Sequence, residues 1–265
     1  MKIKFLCAAA AVATVFASTA AFAEDAAPAA AAAAPTPDFT VTGSAALVSQ
    51  YRFRGISQSD NKPASQASFT ISHASGFYLS TWGSSASAGN SAVNIGGTEI
   101  DVYGGYTHAL GKSGLTFDGG VYGYLYPGAT AGNYFELYGS LTKAIGPVSV
   151  KGGLNWAPKQ TYFTAANTAT KYNMYKYAEL TFAVPATALT LHGHLGHNAG
   201  GFNWTKEYID YTVGAGYKWK ALTFDASVVG TNVSHNDATL LPVTTAAETY
   251  RATKPVVVLS VTAGF

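Results

Sequence analysis

Apolar and polar residues alternate along most of the chain after residue 38. Twelve stretches carry apolar side chains at every second position, and Gly, Pro, Asn or Asp residues bound them. A period of two is that of a β-strand, and roughly ten residues make one tilted membrane crossing. We expect these strands at residues 39–50, 65–72, 77–86, 98–109, 114–126, 133–144, 148–157, 173–184, 188–198, 207–218, 221–232 and 255–265.

The connections between these stretches alternate in length. Bacterial membrane barrels have short turns on the periplasmic side and long loops outside. The short connections are 73–76, 110–113, 145–147, 185–187 and 219–220, and the long ones include 51–64, 87–97, 158–172 and 233–254. This pattern predicts an all-β fold, a transmembrane antiparallel up-and-down β-barrel of about 12 strands at 38–265. A soluble sandwich or lipocalin-like barrel would alternate in the same way, but with its apolar face turned inward.

The first 23 residues have the pattern of a cleaved signal peptide. Lys2 and Lys4 precede an apolar run, and Ala21 to Ala23 form an A-x-A cleavage site. We therefore expect export, with residues 24–37, rich in Ala and Pro, forming an extended periplasmic linker before the barrel. Cys7 lies within the predicted signal, so the mature chain is expected to need neither disulfides nor thiolate chemistry.

The last predicted strand places Val257, Leu259, Val261, Ala263 and Phe265 on one face, and the sequence stops on this phenylalanine. Such a strand is similar to the signal that the barrel-assembly machinery recognises in outer-membrane proteins. It would present an unpaired edge that can pair with another strand, and its apolar side would face lipid. The expected location is thus the outer membrane of a Gram-negative bacterium, with membrane lipid and the assembly machinery as partners.

Two regions carry a resemblance to a known family. Residues 49–59 read SQYRFRGISQS, and residues 99–139 contain EIDVYGGY, YGYLYPG and NYFELYG in that order. This series resembles the TorF family of porin-like proteins, also filed as Gcw_chp, bacterial proteins of unknown function. The resemblance covers the mature barrel and implies an outer-membrane channel without naming a solute.

The two faces of the predicted strands differ sharply in polarity. Seven carboxylates fall on the face opposite the apolar one, where they would point into the lumen: Glu99, Asp101, Asp118, Glu136, Glu179, Asp210 and Asp225. A charge on the lipid face would be costly, so this sorting supports the topology. The predicted lipid face holds Leu47, Phe69, Ile71, Leu79, Val102, Phe117, Val121, Phe135, Leu137, Leu141, Val150, Leu154, Leu180, Phe182, Leu189, Leu191, Leu195, Val213, Phe224 and Val228.

Further side chains complete the predicted pore lining. Tyr122, Tyr124 and Tyr126 share the inward parity, where they form either ordinary lumen packing or a stacking track for flat solutes. We expect the first long loop to fold over the mouth, where Arg52 and Arg54 would pair with acids such as Glu99 or Asp101, the alternative being a solvated basic loop. The remaining predicted lining residues are Lys151, His192 and His194.

The carboxylates themselves have two interpretations. They pair within the wall as a structural network, or their excess over inward basic groups gives a mild cation preference. Once Lys2 and Lys4 leave with the signal, 14 basic residues remain against 14 acidic ones, which makes nucleic acid an unsuitable partner.

We find no pattern that predicts an enzyme. His192 and His194 share a strand face, but His197 points away, so no metal site is predicted. No nucleophile elbow, phosphate-binding loop or dinucleotide motif occurs, and no catalytic residue or cofactor is assigned. The expected function is a channel for small hydrophilic solutes. The alternatives are an outer-membrane lipid-modifying enzyme that uses His197, and a closed structural or adhesive barrel.

Overall fold

The computed structural model describes residues 38–88, 95–165, 170–202, 207–237 and 245–265. The predicted signal peptide and linker, 1–37, lie outside the described residues. No helix within the described ranges is long and apolar enough to cross a membrane.

Twelve antiparallel strands form a closed barrel in which neighbours in sequence are neighbours in space. The first barrel strand pairs with both the second and the last, and this pairing closes the ring. The barrel strands are β1 Phe39–Val48, β4 Ala64–His73, β5 Phe77–Ser85, β6 Thr98–Ala109, β7 Leu115–Leu125, β8 Tyr134–Ile145, β9 Val148–Ala157, β10 Asn173–Ala183, β11 Leu189–Gly200, β12 Tyr208–Trp219, β13 Leu222–Thr231 and β14 Val256–Gly264. The predicted 12-stranded up-and-down barrel is confirmed.

The long connections carry small additional elements. A hairpin of β2 Arg52–Phe53 and β3 Ile56–Ser57 lies between β1 and β4. Helix α1 Thr161–Ala165 follows β9, and helix α2 Ala246–Thr253 precedes β14. Short and long connections alternate as predicted, so the barrel has a loop end and a turn end, and both β1 and β14 have their outer termini at the turn end.

The side chains sort between the two surfaces of the barrel as the alternation predicts. Leu47, Leu195 and Val213 are about 60% exposed, and most of the predicted lipid-facing residues are likewise exposed, while Phe182 and Leu189 are partly covered. Continuous apolar surface of this kind is rare on soluble proteins and suits a lipid environment. The seven carboxylates of the strands lie on the inner surface, which is the opposite of a soluble barrel.

Candidate functional site in the barrel lumen

The predicted lining acids lie inside the barrel. Glu99, Asp101, Glu136 and Asp210 are at most 2% exposed, while Asp118, Glu179 and Asp225 are half-buried. A carboxylate buried to this degree needs hydrogen-bond donors or a cation beside it. The groups that contact each acid therefore determine how the interior is arranged.

The β2–β3 hairpin enters the lumen from the loop end and contacts β8, β11 and β13. We call residues 51–59 the plug; all are buried except the half-buried Phe53. Its turn uses Arg54 and Gly55 at positive φ, 47° and 78°. A Cβ on Gly55 would lie 2.6 Å from Thr231 Cγ2 and 2.7 Å from the carbonyl oxygen of Gly230, so only glycine fits this close approach to β13.

Arg54 anchors the plug to the far wall. Its guanidinium donates to Glu136 Oε2 on β8 at 2.6 Å and to Asn198 Oδ1 on β11 at 3.4 Å. It also lies 4.1 Å from the ring centroid of Tyr175 and 4.7 Å from that of Phe53. The loop was expected to fold over the mouth. Its hairpin instead enters the lumen, with one arginine paired to a lumen acid.

Arg54 pairs with a lumen acid as expected, although not with Glu99 or Asp101, whereas the expected pairing of Arg52 with such an acid is wrong. Arg54 pairs with Glu136 rather than Glu99 or Asp101, and Arg52 donates to the carbonyl oxygens of Ala252 at 2.9 Å and Lys254 at 3.1 Å. The positive φ at the hairpin turn sends the two side chains in different directions. Arg52 thereby places its charge at the C-terminus of α2, where the helix dipole favours a cation.

Tyrosine hydroxyls, rather than arginines, bind the acids of β6. Tyr51 donates to Glu99 Oε2 at 2.9 Å, and Tyr126 donates to Glu99 Oε1 at 3.3 Å. Tyr122 donates to Asp101 Oδ2 at 2.9 Å. These neutral donors meet part of the hydrogen-bonding need of two neighbouring buried carboxylates.

The three tyrosines singled out in the sequence are packed against other rings. Tyr122 stacks on Tyr103 with centroids 4.4 Å apart, and Tyr124 stacks on Tyr134 at 4.3 Å. Tyr126 lies 6.4 Å from Tyr134. Their faces are therefore largely occupied, which favours the packing interpretation over a stacking track on these three residues.

A second polar network lies on β9 to β12. His194 is 3.5 Å from Glu179 Oε1 through Nδ1 and 3.2 Å from Asp210 Oδ1 through Nε2. Lys151 Nζ lies 3.9 Å from Glu179, and Tyr175 donates to Asp210 Oδ1 at 3.0 Å. Basic and acidic groups thus alternate across this wall.

His192 belongs to a separate contact, with its Nε2 2.7 Å from Asp225 Oδ2. His197 points the other way and lies 3.4 Å from Glu207. Within the described ranges no three His, Cys, Asp or Glu side chains are placed to hold a metal ion.

A cavity of about 100 Å³ remains between the plug and the strands. Phe53 and Arg54 of the plug line it on one side. Strands β5 to β11 supply the other lining residues: Tyr78, Tyr103, Asp118, Tyr122, Tyr124, Tyr138, Lys151, Asn155, Tyr175, Tyr177, Glu179 and His194. Of the predicted pore-lining set, Arg52, Glu99, Asp101, Tyr126, Glu136, His192, Asp210 and Asp225 do not reach this cavity.

The family model described as a bacterial protein of unknown function, Gcw_chp, matches residues 31–265. The chain belongs to this family. The match agrees with the second name given above for the resemblance, while the name TorF remains an expectation. A search of curated proteins finds no significant match to this Gcw_chp chain.

Two solved structures with folds similar to the Gcw_chp barrel are described as porins. The KdgM porin in complex with disordered oligogalacturonate aligns with a TM-score of 0.53 at 12% identity, over 85% of this chain and 99% of that one. The NanC porin aligns with a TM-score of 0.53 at 9% identity, over 84% and 99%. At these identities the likeness concerns the fold.

Sequence reasoning missed Tyr78, Tyr103, Asn155 and Tyr177 as cavity residues of the Gcw_chp barrel, whereas the parity of Glu136 places Tyr138 on the inward face. Tyr103 and Tyr177 share the inward parity of Asp101 and Glu179 on their strands. Applying the parity rule to every strand, rather than to clusters of aromatics, would have identified them.

Proposed function

We propose that this protein is an outer-membrane channel that admits small hydrophilic solutes through a narrow lumen. The observation that carries the proposal is a cavity of about 100 Å³, lined by ionisable and hydroxyl groups, inside a closed barrel whose outer surface is apolar. Ionisable and hydroxyl groups that line such a cavity need water or a polar solute as hydrogen-bonding partners.

The porin fold of similar structures supports the same class. KdgM was solved as a porin with an oligogalacturonate, which supports passage of hydrophilic molecules by barrels of this architecture. For this chain the solute and the outer-membrane location are part of the proposal. So is recognition of the C-terminal strand, which ends at Phe265, by the barrel-assembly machinery.

The plug makes facilitated entry of small molecules a better candidate than an open pore. Residues 51–59 reach from the β1 side of the mouth to β8 and β11, and Arg54 holds them there. Large or folded cargo would not pass such a constriction.

A mild cation preference is a further part of the proposal. Seven inward carboxylates face fewer inward basic groups, chiefly Arg54 and Lys151. The ion pairs to Glu136 and Glu179 reduce this excess, so the preference should be small.

Planar-bilayer recording of the purified protein tests the proposal. We expect small, discrete conductance steps in KCl. Across a KCl gradient, the reversal potential should be shifted toward the equilibrium potential of K⁺. Absence of steps from folded protein would support a closed structural barrel instead. A reversal potential shifted toward the equilibrium potential of Cl⁻ would contradict the cation preference but not the channel proposal.

The enzymatic alternative has little support. A lipid-modifying site would need a nucleophile beside His197, and the described contact of this ring is with Glu207 Oε2 at 3.4 Å. Phospholipid hydrolysis by purified protein, lost on His197→Ala, would revive that alternative.

A further inference from the structure

Several inward tyrosines lie flat on the barrel wall because glycines stand beneath them. A Cβ on Gly153 would overlap the phenol carbons of Tyr177. A Cβ on Gly105 would lie 2.5 Å from Tyr138 Oη, and one on Gly120 would lie 2.8 Å from the same atom. Glycine in a strand commonly marks such a close approach.

A ring that lies flat against the sheet presents its other face to the lumen. Tyr138 and Tyr177 are half-buried and line the cavity, unlike the buried, mutually stacked Tyr124 and Tyr134. Gly153 lies beneath the ring of Tyr177, and Lys151 Nζ lies 5.5 Å from the centroid of that ring. The ring centroid of Tyr122 lies 6.5 Å from that of Tyr138. These two rings therefore form apolar platforms within a polar cavity.

Carboxylates lie beside both platforms. Asp118 Oδ1 accepts from Tyr78 at 2.8 Å, and Tyr78 Oη in turn contacts Tyr138 Oη. Glu179 stands two residues from Tyr177 on the same strand face, and 27% of its side chain is exposed. Each carboxylate can accept further hydrogen bonds. An aromatic ring therefore lies next to a strong hydrogen-bond acceptor at both positions.

Charges around the cavity are balanced. Arg54 pairs with Glu136, and Lys151 lies 3.9 Å from Glu179. An anionic solute would meet Asp118 and Glu179, while a cationic one would meet Lys151 and Arg54. This balance favours an uncharged solute.

The wall across the lumen is uncharged and rich in hydroxyl groups. Strands β14, β1 and β4 lie half-way round the ring of strands from β8, β9 and β10. Their inward side chains include Thr42, Ser44, Ser68, Thr70, Ser260 and Thr262. Hydroxyl groups both donate and accept, so they match the edges of a polyhydroxylated molecule.

We propose that the lumen binds a neutral saccharide, with the apolar face of a sugar ring stacked on Tyr177 or Tyr138 and its hydroxyls bonded to Glu179 or Asp118. This inference rests on the proposed function, since the sugar must enter the lumen. A pyranose combines an apolar face with a hydroxyl-bearing edge, which is the combination that these walls offer.

Blockade of single channels by three probe sugars tests the proposal. Maltose is neutral, digalacturonate is acidic and glucosamine is cationic. We expect maltose to reduce the KCl conductance at the lowest concentration. In Tyr177→Ala the half-blocking concentration of maltose should rise about five- to tenfold, the range of one lost stacking contact.

Matched variants separate stacking from general disturbance. Tyr177→Phe keeps the ring and should retain blockade within about twofold. Tyr217→Ala removes a tyrosine that is 52% exposed on the outer surface and should leave blockade unchanged. Folding of each variant is checked by the heat-dependent shift in electrophoretic mobility, and if Tyr177→Ala does not fold, Tyr138→Ala takes its place.

Binding is also measured without conductance, by equilibrium dialysis of radiolabelled maltose against the detergent-solubilised full chain. Conductance without maltose blockade or binding would overturn the saccharide inference and leave the channel standing. Maltose binding without conductance steps would overturn the channel and keep the lumen site. Tighter blockade by digalacturonate or glucosamine, or equal loss in Tyr217→Ala, would contradict the proposal.

Discussion

At the scale of single residues, the direction of a side chain was predictable and its partner was not. The parity of Glu99 and Asp101 follows from the strand period, and both point inward. That Glu136 receives Arg54 depends on a hairpin turn at Gly55 and on its approach to β13. These are long-range contacts, which the local pattern does not contain.

The Arg54–Glu136 pair yields a prediction about stability. Both side chains are nearly inaccessible, at 4% and 0% exposure. Arg54→Met leaves a buried carboxylate without its cation, which costs about 3–5 kcal/mol. Hydrogen bonds from Tyr124 and Asn155 remain on Glu136, so we expect the lower end of this range, measured by urea unfolding in lipid vesicles.

A double variant and a surface control complete that test. Arg54→Met combined with Glu136→Gln should cost less than Arg54→Met alone, because the uncompensated charge is gone. Lys62→Ala removes a pair whose lysine side chain is 74% exposed, and it should cost less than about 1 kcal/mol. Equal costs for Arg54→Met and Lys62→Ala would show that the buried pair does not hold the plug.

At the scale of elements, the strands were predictable because lipid imposes the same requirement on all of them. Residues 98–109 and 148–157 were predicted with the bounds that β6 and β9 have. The elements within loops were missed, although α2 carries a capping box in which Thr245 and Glu248 bond reciprocally. A local signal existed for this helix, whereas the two-residue strands β2 and β3 are too short to produce one.

The contact between the plug segment and α2 should weaken in acid. Asp60 lies just beyond the plug and pairs with Arg251 of α2, and Arg251 Nη1 also donates to the Asp60 carbonyl oxygen at 3.2 Å. Burial acts to raise the pKa of Asp60, but hydrogen bonds from Arg251 and Lys62 outweigh it and lower the pKa below 3.8. The stabilisation is therefore complete above the unfolded pKa and is lost as the pH falls through the lower folded pKa.

Hydrogen exchange of the segment around Asn61 measures this effect, after correction for the intrinsic dependence on pH. Protection should be constant at neutral pH and fall below about pH 4. Asp60→Asn should show weaker protection and no such fall. Because Arg251 is 41% exposed, added salt should reduce the difference, and a fall that persists in Asp60→Asn would assign it to other groups.

At the scale of the whole molecule, closure of the barrel followed from the sequence but occupation of its lumen did not. An even number of crossing strands with alternating faces leaves a closed cylinder as the arrangement that satisfies every backbone group in lipid. Whether a loop lies outside the mouth or inside it depends on contacts such as that of Arg54 with Asn198 across the barrel. A basic loop sequence is compatible with both positions.

The position of the plug leads to a prediction about conductance. Replacing residues 52–59 by a Gly-Ser segment of equal length removes Arg54 and Phe53 from the lumen and keeps the connection from β1 to β4. The single-channel conductance in KCl should rise severalfold, because the main constriction of the loop end is gone while the wall of the barrel is unchanged.

A replacement of the same kind elsewhere provides the control. Residues 234–237 lie in the loop after β13, mostly exposed, so a Gly-Ser segment there should leave conductance unchanged. If the plug replacement folds and its conductance equals that of the native protein, the constriction lies elsewhere in the lumen, with the flat tyrosines over β6 to β10 as the next candidates. If both replacements raise conductance alike, the loop end as a whole limits flow, and the plug has no special part in it.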